Sequence, residues 1–268
     1  MSRLPDFLIA GAPRSGSTTL YRMIDEHPSI FMARPKEIGF FSGWHGDDLK
    51  WYSAHFDEAG PDQKAGEATP WYLHDPSAVD EIERIVPEVQ IIVILRDPVD
   101  RTYSHYWMER IRGRADGTFE EYTDSSDVLG ISRYADHLAY MSQRLGRDQI
   151  LVVFHQDLEQ DPTGLYRDVC DFLGVDSSYD PEALGKTVNP YVEFRSLRVR
   201  NWAKAIPSSL ATVRRVLDRL NTRTRVSYPP MRPETRERLA NYYEEPNAEL
   251  ALWLGREIPH WTRPTAEN

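Results

Sequence analysis

Thiols are nearly absent from this chain: Cys170 is its one cysteine. No disulfide closes within it, and a reducing compartment suits it. Also missing is any apolar run of about 18 residues, the length a membrane-crossing helix needs. The N-terminus shows no basic-then-apolar leader, so no membrane insertion is expected and the cytoplasm is the expected location. The eight histidines fall into no H-E-x-x-H or similar ligand spacing, so no metal is expected. Positive charge is in deficit, and a net charge of −10 argues against nucleic acid as a partner. Lysine is scarce beside arginine, a composition that hints at a GC-rich bacterial genome.

The basic residues that exist are unevenly spread. Nine fall between Arg195 and Arg225, where Asp218 is the lone acid, leaving the rest of the chain with 23 basic and 41 acidic residues. Most of these arginines read as a solvated helical face, with one or two reaching an anionic ligand.

Near-continuous apolar runs at 7–10 ("FLIA"), 90–96 ("QIIVILR") and 149–154 ("QILVVF") predict parallel strands buried on both faces. Weaker strand patterns lie at 30–33 and 65–68. Helical patterns fill 17–26, 48–56, 77–86, 98–111, 131–145 and 162–173. A long amphipathic helix is expected over 233–254, with a break or kink at Pro246. Strands alternating with helices imply an α/β fold around a mostly parallel sheet. With no repeat and no long linker, one domain spans 1–268. The polar stretch 113–130 has the least pattern and reads as a lid or substrate loop.

Function enters with "FLIAGAPRSGSTTL" at residues 7–20. A strand, a glycine-bearing loop and a helix start aim the backbone N–H groups of residues 14–18, and the positive end of the helix, at one point. Ser15, Ser17 and Thr18 add hydroxyl donors. The spacing Gly11-x4-Gly16-Ser17-Thr18 is that of an ATP-binding P-loop without its lysine, and Arg14 supplies a cation from inside the loop. The plainer alternative is an ordinary strand-to-helix turn with capping hydroxyls. Farther on, Arg96 closes a buried strand, at the end where ligands of open α/β sheets collect. Ser104 stands in the second turn of the next helix. Together the two form a second phosphate point, separate from the loop. Two such points suggest a nucleotide phosphorylated at two places.

These motifs together resemble the sulfotransferases that use 3′-phosphoadenosine 5′-phosphosulfate (PAPS). "GAPRSGSTTL" is similar to their 5′-phosphosulfate loop and "LRDPVDRTYSHYW" to their 3′-phosphate motif. "ILVVFHQDLEQDP…DVCDFLGV" resembles their later strand–loop–helix signature, and "YPPMRPETRERLANYYEEPNAELALWLG" the ending of bacterial members. "HPSIFMARPKEIGFF" and "GEATPWY" resemble the branch that includes carbohydrate and tyrosylprotein sulfotransferases. The resemblance implies a P-loop-like three-layer fold, a central sheet flanked by helices. It also implies PAPS as co-substrate, adenosine 3′,5′-bisphosphate as product, and no metal.

Residue roles follow from the same resemblance. Arg14, Ser15, Gly16, Ser17 and Thr18 hold the 5′-phosphate end; Arg96 and Ser104, joined by Arg195, hold the 3′-phosphate. Glu37 is the catalytic base, set against its plainer reading as a surface partner of Lys36 or Arg34. Arg14 stabilises charge on the leaving group; a guanidinium donates hydrogen bonds and not protons there. Lys36, Trp44 and Tyr72 are candidates for contact with the acceptor. His45, His55 and His74 rank below Glu37 as bases.

Three departures qualify the likeness. Arg14 stands where most members carry lysine. Ala68 replaces a lysine of heparan-type enzymes, and their paired cysteines near the carboxyl end are absent, which argues against a glycosaminoglycan acceptor. The expected reaction is sulfuryl transfer to a hydroxyl of a small-molecule, sugar, lipid or carrier-bound acceptor. The alternatives are a P-loop kinase or NTPase, which needs lysine at position 17 and a magnesium-binding acid, and a non-catalytic nucleotide-binding module.

Overall fold

The computed structural model describes residues 3–124, 126–184, 192–194, 222–224, 229–259 and 261. Its centre is a five-stranded, all-parallel sheet of β1 (Phe7–Gly11), β2 (Ile30–Met32), β3 (Lys64–Ala68), β4 (Gln90–Leu95) and β5 (Ile150–Phe154). The order across the sheet is β2-β3-β1-β4-β5. Each of the five predicted strands is present within a residue or so. β4 stops at Leu95, so Arg96 opens the following loop rather than ending the strand.

Strand side chains alternate between two cores, as period-2 geometry requires. Leu8, Ala10, Ile91, Val93 and Leu95 face α3 (Pro76–Ile85) and α7 (Tyr134–Leu145). Phe7, Ile9, Ile92 and Ile94 face α1 (Ser17–Asp25) and α9 (Pro162–Leu173). All these strand residues are wholly buried, at roughly 1.5–3 kcal/mol for each large aliphatic side chain. Helices on both faces complete the expected three layers.

Three helices start on the same device. Asp75, Asp97 and Asp161 each precede a proline and cap the amides that follow, starting α3, α4 (Pro98–Arg112) and α9. The carboxylate satisfies first-turn N–H groups while proline, lacking an N–H, leaves none orphaned at N1. The pattern at 48–56 resolves into α2 (Leu49–Ser53) and a one-turn 3-10 helix, Ala54–Phe56.

The stretch 113–130 is not the irregular loop expected. It holds α5 (Phe119–Tyr122) and α6 (Ser126–Gly130). Thr118 and Glu121 form a reciprocal capping box, and Phe119 and Leu129 are buried in a core with Val99, Tyr106, Leu239 and Tyr243. Completing the chain, α8 spans His155–Gln160, β6 (Val192–Phe194) pairs antiparallel with β7 (Thr222–Thr224), and α10 spans Pro233–Leu254. α10 continues through Pro246, which is buried inside it.

Candidate active site

Parallel register brings three functional segments to one edge of the sheet. Ile9 pairs with Ala68 of β3, and Gly11 pairs with Val93 of β4. The segments leaving β3, β1 and β4 therefore emerge side by side at the carboxyl ends of the strands.

The loop after β1 is shaped by backbone conformation. Arg14 (φ 72°) and Gly16 (φ 104°) both lie in the left-handed region, reversing the chain just ahead of α1. A side chain at Gly16 would meet His155 Nδ1 at 2.9 Å, and one at Gly11 would meet Leu73 Cβ at 2.6 Å, so both glycines are required for close packing as well. α1 has no side-chain cap, which leaves its positive end for a ligand. Ser15 is wholly buried, and its hydroxyl has no hydrogen-bond partner among the described residues. An orphaned buried donor at a helix N-terminus, in a cradle of left-handed backbone, fits a bound phosphate. Ser17 is buried at the first position of α1, and Thr18 follows it.

The loop after β1 and the segment after β4 touch directly. Arg14 Nε donates to Ser104 Oγ at 3.1 Å, and Arg14 Nη1 approaches Met108 Sδ at 3.6 Å. Arg96 Nη1 reaches back to the Arg14 carbonyl at 3.5 Å, while the Arg96 carbonyl accepts from Tyr134 Oη at 2.9 Å. The guanidinium of Arg14 thus spans from the β1 loop to α4. Adjacent strands β1 and β4 carry both segments. Arg195 lies outside the described residues.

Glu37 lies in the segment after β2, with φ 65°. Its N–H donates to the Ala68 carbonyl at 3.0 Å, fastening it to the end of β3. Lys36 Nζ bonds Glu37 Oε1 at 3.0 Å, so the two candidates form an ion pair. Glu37's side chain is 39% exposed, so the pair contributes about 0–1 kcal/mol and serves orientation more than stability. Trp44 is half exposed, its indole lying over Gly39, two residues from Glu37.

Tyr72 does not form an acceptor wall. It is wholly buried, its hydroxyl donating to Glu67 Oε1 at 2.8 Å, because aromatics at this strand end pack inward on Phe41 and Tyr52. Glu67 was not anticipated from the sequence: it is a buried carboxylate, its pKa pushed up by burial and partly restored by hydrogen bonds from Thr69, Tyr72 and Tyr52.

Also unanticipated is a buried polar group behind Arg14. Arg101 is wholly buried and bonds Ser132, Thr102 and Val128. Burial pushes the His105 imidazole down to about 3, helped by Arg101 and Arg14, and the His74 imidazole down to about 4, helped by His137 and Arg101. Tyr122 Oη lies 3.2 Å from His105 Nδ1, and Glu109 Oε1 lies 4.0 Å from Nε2. His155, the first residue of α8, packs on Gly16, and burial and then Arg96 lower its pKa. The available signal for His105 and Arg101 was their place inside "DPVDRTYSH". His45 and His55 lie among exposed aromatics on either side of Trp51.

Acid destabilisation follows from these neutral histidines. An unfolded histidine titrates near 6.5, whereas the folded His105 and His74 take up protons only near 3 and 4. Between those limits the unfolded chain binds more protons. Stability is therefore complete above about pH 6.5 and falls with acidification, by about 1.4 kcal/mol per pH unit per histidine. Denaturant unfolding at pH 7.5, 6 and 5 should show this slope, and His105→Gln should reduce it by one histidine's share. An unchanged slope in that variant would refute the assignment.

Among the described residues, no cluster of His, Cys, Asp or Glu could hold a metal ion, and no helix is long and apolar enough to cross a membrane. A family model described as "Sulfotransferase domain" matches residues 4–250. The chain is 30% identical over 97% of its length to bifunctional heparan sulfate N-deacetylase/N-sulfotransferase 4 of Mus musculus, and 28% identical over 97% to the Homo sapiens enzyme 3. It spans 31% of the length of each. Among solved structures, a sulfotransferase from Alicyclobacillus acidocaldarius superimposes with a TM-score of 0.74 at 22% identity, covering 97% of this chain and 100% of that one. A sulfotransferase domain from the curacin biosynthetic pathway gives 0.54 at 18% identity over 96% and 100%. The chain belongs to the sulfotransferase domain family.

Proposed function

We propose that the chain transfers the sulfuryl group of PAPS to a hydroxyl of a small-molecule, sugar, lipid or carrier-bound acceptor, acting as one cytoplasmic domain. The carrying observation is the convergence of Glu37, the Arg14 loop and the Arg96–Ser104 pair at the carboxyl ends of β3, β1 and β4.

PAPS, when bound, supplies an activated sulfuryl group and a good leaving phosphate. The amides of residues 14–18 and the hydroxyls of Ser15, Ser17 and Thr18 hold the 5′-phosphate. Arg14 donates hydrogen bonds to the oxygen on which charge grows, as preorganised donors do in related in-line transfers. Arg96 and Ser104, with Arg195, hold the 3′-phosphate that separates this nucleotide from ATP. Glu37 accepts the acceptor's hydroxyl proton as that oxygen attacks sulfur. Lys36 orients Glu37, and Trp44 forms one side of the acceptor entrance. At position 68 the buried Ala68 presents only its carbonyl, to Glu37 N–H, so the lysine of heparan-type enzymes has no counterpart there.

Titration calorimetry with adenosine 3′,5′-bisphosphate tests the nucleotide assignment. Micromolar or tighter binding, unaffected by EDTA, is expected, with no heat from magnesium-ATP. Arg96→Ala should weaken binding roughly tenfold or more, the worth of a hydrogen bond to a charged group. Heat from magnesium-ATP alone would overturn the reading.

A further inference from the structure

We propose that Glu67 is a positioning residue for Glu37, acting through the Thr69 hydroxyl and the Tyr72 ring it holds. This rests on the reading of Glu37 as the base.

The carboxylate of Glu67 is 1% exposed and collects three hydroxyl donors. Tyr52 Oη and Tyr72 Oη donate to Oε1 at 2.9 and 2.8 Å, and Thr69 Oγ1 donates to Oε2 at 2.8 Å. Two of these residues then hold the segment carrying Glu37. Thr69 Oγ1 accepts the Gly39 N–H at 3.1 Å, and the Tyr72 ring meets the Phe41 ring edge-on at 5.4 Å. With the Glu37 N–H on the Ala68 carbonyl, residues 37, 39 and 41 are each pinned to one strand end.

The direction of the hydroxyl protons explains why a carboxylate is needed. An ionised carboxylate only accepts, so it turns the Thr69 and Tyr72 protons toward itself and leaves the Thr69 lone pair for the Gly39 N–H. An amide at position 67 would offer N–H donors to the same hydroxyls and reverse part of that order. Glu37 and Gly39 both have positive φ, a backbone state that persists for a non-glycine residue only when its surroundings impose it. The Glu67 cluster is that imposition: Phe40 stacks on Tyr52 at 4.2 Å, and Phe41 meets Tyr72 edge-on. Tyr72, misplaced as a contact of the acceptor, belongs to this bracket.

The test is a double-mutant cycle on the full chain with Glu37→Gln and Glu67→Gln, reading kcat, KM for PAPS and affinity for adenosine 3′,5′-bisphosphate. Glu67→Gln should lower kcat at least tenfold with KM and nucleotide affinity within twofold, and the double variant should be no slower than Glu37→Gln. Multiplicative losses, or kcat and nucleotide affinity falling together, would mark a merely structural role and overturn the proposal. Where Glu67→Gln does not fold, Thr69→Val decides: kcat several-fold lower at unchanged nucleotide affinity supports the relay, and unchanged kcat refutes it, while Thr69→Ser should restore the rate. A fully active Glu37→Gln would instead sink the base assignment itself. A slow Glu37→Gln beside a normal Glu67→Gln would sink only this inference.

Discussion

Glu37→Gln is expected to lower kcat by about 10²–10⁴, the usual worth of a positioned general base, while leaving affinity for adenosine 3′,5′-bisphosphate unchanged. The amide keeps the volume of the side chain but cannot take the acceptor's proton. Binding should survive because Glu37 is fastened to β3 through Ala68, whereas the donor-holding residues rise from β1 and β4. Single-turnover measurements with labelled PAPS and a panel of hydroxyl acceptors would separate the two properties. Turnover within a few-fold of the unsubstituted enzyme would refute the assignment.

Arg14→Ala is expected to cost about 10²–10³ in kcat, comparable with removal of one preorganised donor from an oxyanion site. The cost arises in the transition state, where charge accumulates on the leaving phosphate. Nucleotide affinity should fall less, because the loop amides and Ser15 remain. Arg14→Lys should recover part of the rate, since a lysine keeps the charge but loses the planar fork that reaches Ser104 at 3.1 Å. Rapid-quench kinetics on both variants, alongside calorimetry, provide the check. Weaker affinity with kcat unchanged would show that Arg14 serves binding uniformly and has no special part in the transition state.

Much of the architecture was open to inspection in the chain itself. β1, β4 and β5 were readable because strands buried on both faces are continuous apolar runs that little else imitates. The tight turn after β1 was readable because left-handed backbone and close approach restrict residue choice. α5 and α6 escaped notice because four- and five-residue helices are too short for a hydrophobic period to show. Tyr72 was misassigned for a different reason: an aromatic beside a polar motif has the same local pattern whether it lines a pocket or fills a core. For Arg101 and His105 the motif around them is a local signal, but nothing in it tells a buried cation or imidazole from a solvated one.

Sequence alone determined the βαβ alternation, the tight glycine-bearing turn after β1 and the family to which the chain belongs. Each depends on residues within a turn or a strand of one another, where sterics and backbone hydrogen bonding act directly. Tertiary structure decided that Arg14 and Ser104, 90 residues apart, share a hydrogen bond, that Tyr72 turns inward, and that a buried carboxylate braces the Glu37 segment. Those outcomes depend on which strands become neighbours and in what register, and only the assembled sheet sets the distances between them.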